Sequence, residues 1–319
     1  MSIIKESRQK QLVLLPAACI FDIHIGMNQT SHNAVVLADA GGMLRAEALP
    51  EAGMTLRSLR MRNVESICQS RAAQFAACRK GYGPLIGPHF NQRKQLSEAI
   101  LANMSRWPQT DVLAKMGVRD PLQHGIARYA PWKYTASSNN IRAKLSSDTE
   151  MFGMPLSAAQ GCNFELNLEM RLAGNAFHLH YTAEADFPPV IGLHYYYALP
   201  NDQGRVRAPV TGVMQAAGQT SPIPPEWMDN AGQHLNLSLD RNLDHIFPLQ
   251  PGPIELETLT HTLKITPESG VKSCIVFHPG PDGWVCIEPL SSTDPWKPVG
   301  NRAEMSLTIM IDASRSHHA

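Results

Sequence analysis

From residue 163 onwards, apolar and polar positions alternate along the chain. In the stretch 163–172, Phe164, Leu166, Leu168, Met170 and Leu172 share one face, while Asn163, Glu165, Asn167, Glu169 and Arg171 share the other. Successive side chains of a strand point to opposite faces, so a period of two predicts a half-buried strand. Gly174 and Asn175 then supply a turn, and 177–182 alternates again, with Phe177, Leu179 and Tyr181 set against His178, His180 and Thr182. Together the two stretches predict an antiparallel hairpin. Further strands are predicted at 190–198, 205–210, 235–239, 254–265 with a break, 272–277, 284–287 and 304–311. Pro209 cannot donate to a ladder, which predicts an edge strand or a poor one at 205–210.

The first half is less regular. Strands are predicted at 35–37, 44–48 and 54–59. Leu96, Ile100, Leu101 and Met104 recur at helical spacing, which predicts a helix over 93–107. Residues 135–150 are polar and read as a loop. Lys5, Arg8 and Lys10 precede an apolar run at 12–21 and imitate a secretory signal, but Pro16 leaves only Leu12 to Leu15 ahead of it. That is too short for the apolar core of a signal, so a first strand is the reading there. His317 and His318 read as an ordinary tail.

The balance of residues supports many short strands joined by turns. Of 319 residues 43% are hydrophobic, and 24 prolines and 22 glycines are spread along the chain. Only 18% are charged, and 28 basic residues balance 28 acidic ones, which gives no electrostatic case for nucleic acid or a membrane surface. No stretch approaches the roughly eighteen consecutive apolar residues of a membrane span. The six cysteines form no C-x-x-C pair, and free thiols in a reducing, cytoplasmic setting are the plainest expectation. His178 and His180 could ligate a metal, but a solvated strand face explains them more simply. No nucleotide-binding glycine motif, internal repeat or linker is present, so the expectation is one all-β domain over 1–319, a large antiparallel β-sandwich.

Four stretches place polar side chains in apolar surroundings: 123–128 followed by Pro131-Trp132, 192–197, 243–247 and 285–290. Glu288 ends an apolar strand, where a carboxylate is costly unless paired or functional. His194 sits among tyrosines. In this order, His124-Gly125-Ile126-Ala127-Arg128, His194-Tyr195-Tyr196-Tyr197, Asp244-His245 and Glu288-Pro289 resemble the histidine, H-x-Y-F, aspartate and E-P segments of the aldose 1-epimerase (galactose mutarotase-like) family. Gly83 to Pro88, leading into Asn91-Gln92-Arg93, loosely resembles that family's approach to an N-R segment. The stretch 93–116 then looks like a helical insertion. The segment around Arg128 and Trp132 looks most like the branch acting on hexose 6-phosphates.

The resemblance implies a galactose mutarotase-like supersandwich and a mutarotase that interconverts α and β anomers of an aldose or hexose 6-phosphate. It makes Glu288 the base and His194 the acid, acting on opposite sides of the sugar. His124 and Asp244 would hold hydroxyls, Arg93 the ring oxygen or a hydroxyl, Arg128 a phosphate, and Trp132, Trp284 or Tyr196 would offer an aromatic platform. Neither cofactor nor metal is implied, and the partner is a monosaccharide or sugar phosphate, with the protein a monomer or homodimer. The rival readings are a catalytically inactive carbohydrate-binding protein on the same scaffold and a glycoside hydrolase, which needs a pair of carboxylates.

Overall fold

The computed structural model describes residues 33–216 and 218–313. The strand expected at 12–21 and the histidine tail lie outside them. Among the described residues, two large antiparallel sheets hold the core. The nine-stranded sheet contains the expected hairpin, observed as Phe164–Ala173 and Ala176–Ala185, with Leu168 opposite Tyr181. The eight-stranded sheet contains Leu243–Pro248, Ser273–His278, Trp284–Leu290, Gly192–Leu193, Tyr195–Ala198 and Leu85–Ile86. A smaller four-stranded sheet begins with Val35–Ala38 and Leu44–Leu49.

Strand parity builds the sandwich. Leu166, Leu168 and Tyr181 of the nine-stranded sheet share one core with Val285, Ile287, Val276, Tyr195 and Tyr197 of the eight-stranded sheet. Burying each such side chain contributes about 1.5–3 kcal/mol. The alternate residues of the second sheet, Cys286, Glu288, Ile275, His194 and Tyr196, therefore face the other way. That outer face is covered by smaller clusters, such as Ile86, Val190, Ile246, Ile275 and Leu290.

Three expectations need correction. The region read as a polar loop contains the strands Lys133–Ala136 and Asn140–Ser146, the second burying Ile141, Ala143 and Leu145. The helix expected over 93–107 is reduced to Glu98–Ala102, because Ser97 caps its start and Asn103 ends it; a 3-10 turn (Met104–Arg106) and a short helix (Thr110–Lys115) follow. Strand Gly204–Pro209 is internal, flanked by His234–Ser238 and Ile254–Thr258. Pro209 is tolerated because it is the final residue, beyond the pairing with Ile254–Thr258, which ends at Arg207. Among the described residues no helix is long and apolar enough to cross a membrane.

Candidate active site

His194 and Glu288 occupy facing positions on neighbouring strands. The register pairs Gly192 with Leu290 and Tyr195 with Ile287, which sets His194 opposite Glu288. The backbone N–H of His194 donates to Pro84 O at 2.9 Å. Across the pair, His194 Nε2 lies 3.4 Å from Glu288 Oε1. On the other side of the imidazole, Nδ1 lies 3.6 Å from Cys286 Sγ. Glu288 is 3% exposed, and among the described residues its Oε2 has no hydrogen-bond partner.

Burial sets the charge state of this pair. It pushes the Glu288 carboxyl up to about 8, with Asp244 adding to the rise and Arg128 and Lys80 opposing it. It holds His194 well below the usual imidazole range, reinforced by the charges of Arg128 and Lys80. Ionising either group alone within apolar surroundings is unfavourable, so at neutral pH the pair carries one proton and no net charge.

Aromatic rings lead from the pair to the surface. His194 stacks on Tyr196 at 5.1 Å between centroids and meets His124 edge to face at 5.0 Å. Phe90 packs edge to face on His124 at 5.4 Å, and Trp296 packs on Phe90 at 5.1 Å. Trp296 is 46% exposed, so the run reaches solvent. His124 is fixed from both ends. Its backbone N–H donates to Asn91 O, and the Asn91 N–H donates to its Nδ1 at 3.4 Å. His124 has φ +65° and Gly125 has φ +90°. A Cβ on Gly125 would fall 1.9 Å from Gly87 O, so only glycine fits there. Burial, Arg128 and His194 hold the His124 imidazole neutral.

The remaining expected site residues divide sharply. Asp244 lies on Leu243–Pro248, opposite Phe277, which in turn faces Cys286. Its carboxylate is exposed at the surface, yet the protein wall behind it raises its pKa, and its charge opposes ionisation of Glu288. Arg93 spends its guanidinium elsewhere, donating to both carboxylate oxygens of Asp120 and to Ala159 O and Gln160 O. Trp132 is core, with its indole N–H on Ala127 O at 2.9 Å. Arg128 is wholly buried, and its Nε donates to Leu85 O. Its Nη1 and Nη2 have no hydrogen-bond partner among the described residues, and its charge favours the carboxylate of Glu288 and the neutral form of His194. Trp284 packs on Tyr196, with its N–H on Asp282.

Sequence reasoning passed over Lys80, whose charge reaches both members of the pair, and the rings of Phe90 and Trp296. A lone tryptophan in the polar segment 291–301 was the available signal for Trp296.

Among the described residues the paired antiparallel sheets match the galactose mutarotase-like β-sandwich fold. A galactose mutarotase-like protein from Lactobacillus casei is similar over 88% of this chain and 99% of its own, with a TM-score of 0.62 at 14% identity. A protein described as a candidate aldose 1-epimerase from Escherichia coli K12 covers 88% of this chain and 99% of its own, with a TM-score of 0.63 at 11% identity. Slr1438 from Synechocystis sp. PCC 6803 covers 88% and 96%, with a TM-score of 0.64 at 14% identity. No family's sequence profile matches the chain, and no curated protein matches it in sequence. The resemblance drawn from the motifs therefore holds at the level of the fold.

Proposed function

We propose that this chain is an aldose mutarotase, an isomerase that interconverts the α and β anomers of an aldose, free or as a hexose 6-phosphate. The observation that carries this reading is the His194–Glu288 contact: an acid and a base 3.4 Å apart and buried, at the inner end of a run of packed rings that ends at the half-exposed Trp296.

Changing anomers means opening the ring. The C1 hydroxyl must lose its proton while the ring oxygen gains one. Both oxygens are bonded to C1, so two groups in contact at 3.4 Å can serve both from one side of the sugar, in place of the expected arrangement from opposite sides. By the family resemblance, Glu288 takes the hydroxyl proton and His194 supplies the ring oxygen. Burial favours the proton resting on Glu288, in which case Glu288 supplies the ring oxygen and His194 takes the hydroxyl proton. Either way the C1–ring oxygen bond breaks, an aldehyde forms, rotation about C1–C2 exposes its other face, and closure returns both protons. One pair completes the cycle by proton transfer alone. His124 meets His194 edge to face and Asp244 lies two strands across the sheet from Cys286; both would hold sugar hydroxyls, while Phe90 and Trp296 offer a platform for the sugar's C–H face.

The test is polarimetry or NMR on freshly dissolved α-glucose, α-galactose and glucose 6-phosphate. Acceleration of at least one is expected, and its loss in Glu288→Gln. Sugar binding without acceleration of any of the three would leave a carbohydrate-binding protein on this scaffold.

A further inference from the structure

The His194 contacts include one that proton transfer does not use. Cys286 precedes Glu288 by two residues on strand Trp284–Leu290, so thiol and carboxylate project from the same face. The imidazole lies between them, with Nε2 3.4 Å from Glu288 Oε1 and Nδ1 3.6 Å from Cys286 Sγ. One donor atom from each residue lies within 4.8 Å of the other two. All three residues are at least nine-tenths buried, and Glu288 Oε2 has no partner among the described residues.

We infer that His194, Cys286 and Glu288 form a binding site for a soft divalent cation, with Zn2+ the best match, and that the cation shuts the proposed mutarotase site by occupying both proton-transfer groups. One nitrogen, one sulfur and one oxygen donor suit zinc, whose tetrahedral bonds place such ligands roughly 3.3–3.6 Å apart. The observed contacts use different ring nitrogens, so a shared cation requires the imidazole to turn between Tyr196 and His124 until one nitrogen faces both neighbours. The fourth position is left to water or a sugar hydroxyl. Binding releases the thiol proton and the carboxyl proton of Glu288, leaving thiolate, carboxylate and neutral imidazole around a 2+ ion. The net positive charge of Arg128 and Lys80 nearby limits affinity, which suits a reversible inhibitor rather than a permanent cofactor. Inhibition rests on the mutarotase reading; binding does not.

The experiment titrates the intact protein with Co2+ and reads the thiolate-to-cobalt charge-transfer absorption, then displaces Co2+ with Zn2+. The band is expected in the wild type and in Cys162→Ser, and absent in Cys286→Ser, with folding checked by circular dichroism. Glu288→Gln, nearly isosteric, should retain the band while binding more than about tenfold more weakly, the least that removing even an outer-shell partner of a metal commonly costs. If Cys286→Ser does not fold, the Glu288→Gln and His194→Gln titrations decide the matter. A band that survives in Cys286→Ser, or affinity unchanged in both other variants, overturns the site. Spectrum and activity separate the two readings. Cobalt binding by a protein that is inactive on every aldose when metal-free sinks the mutarotase alone, whereas an active protein without the band sinks the cation site alone.

Discussion

His194 faces Glu288 across a single antiparallel register, and the two side chains touch at 3.4 Å. Two ionisable groups so close titrate and act as one unit. Glu288→Gln and His194→Gln should each lower the rate of anomer interconversion by about 10²–10⁴-fold, the usual worth of a positioned acid or base. The double variant should be scarcely slower than either single one, because the unit is already broken. Additive losses in a polarimetric assay would show that the two residues work independently.

The rate should fall as pH rises through about 8. The unit needs its one proton, and Glu288 loses it with a pKa pushed up to about 8 by burial. The acid limb lies well below the ordinary histidine range, because burial and Arg128 resist a second proton on His194. A profile of kcat/KM against pH with its alkaline limb near 6 would contradict this assignment.

The same burial predicts a stability change of opposite sense to the activity loss. Glu288 is held protonated in the folded state above its unfolded pKa of 4.5. Between that value and about 8 the folded state binds more protons, so stability falls with rising pH at up to about 1.4 kcal/mol per unit. Glutamine carries no such penalty. Glu288→Gln should therefore melt at a higher temperature than the wild type at pH 9, with the gap narrowing towards pH 5. An equal gap at both values in a thermal scan would count against a buried, strained carboxyl.

Trp296 and Phe90 should affect binding more than chemistry. Replacing either by alanine removes one aromatic contact while leaving the acid–base pair in place. KM should rise roughly two- to tenfold, equivalent to about 0.5–1.5 kcal/mol, with kcat nearly unchanged. A fall in kcat at constant KM would remove the platform from the reading.

Arg93 belongs to stability. Asp120 is 1% exposed; the hydrogen bonds it accepts from Arg93, with the His89 imidazole 3.6 Å away, overcome the cost of burial and hold it well below the carboxylate range. Arg93→Met would leave that charge buried with its main partner gone, at a cost of about 3–5 kcal/mol. Because the Asp120 pKa is depressed, the contribution is present above pH 4 and lost as pH falls further. Denaturant unfolding of Arg93→Met at pH 7 should show the loss.

The hairpin from Phe164 to Ala185 was readable because one face is buried and the other wet, so side-chain type tracks position directly. Asn140–Ser146 escaped notice although it also alternates, because its core face holds the small Ala143 and its neighbours are serines and asparagines. Leu101 completed the helical spacing in sequence but is 59% exposed, so the pattern overstated the helix. At the site, Glu288 and His194 were visible as polar interruptions of apolar strands. Arg93, Arg128 and Trp132 look alike in the sequence, and their partners in the fold make them a clamp, a buried charge and a core ring. Phe90 and Trp296 meet across two hundred residues of sequence, a proximity no local pattern encodes.

Strand Arg302–Asp312 lies at the centre of the nine-stranded sheet, joining Ala176–Ala185 on one side to Thr262–Ser269 on the other. Until residue 312 has cleared the ribosome, the sheet exists as two halves with bare inner edges. Such edges invite pairing with other chains. Newly made molecules should depend on chaperones late in synthesis, and truncations that remove this one strand should aggregate rather than accumulate as partly active protein.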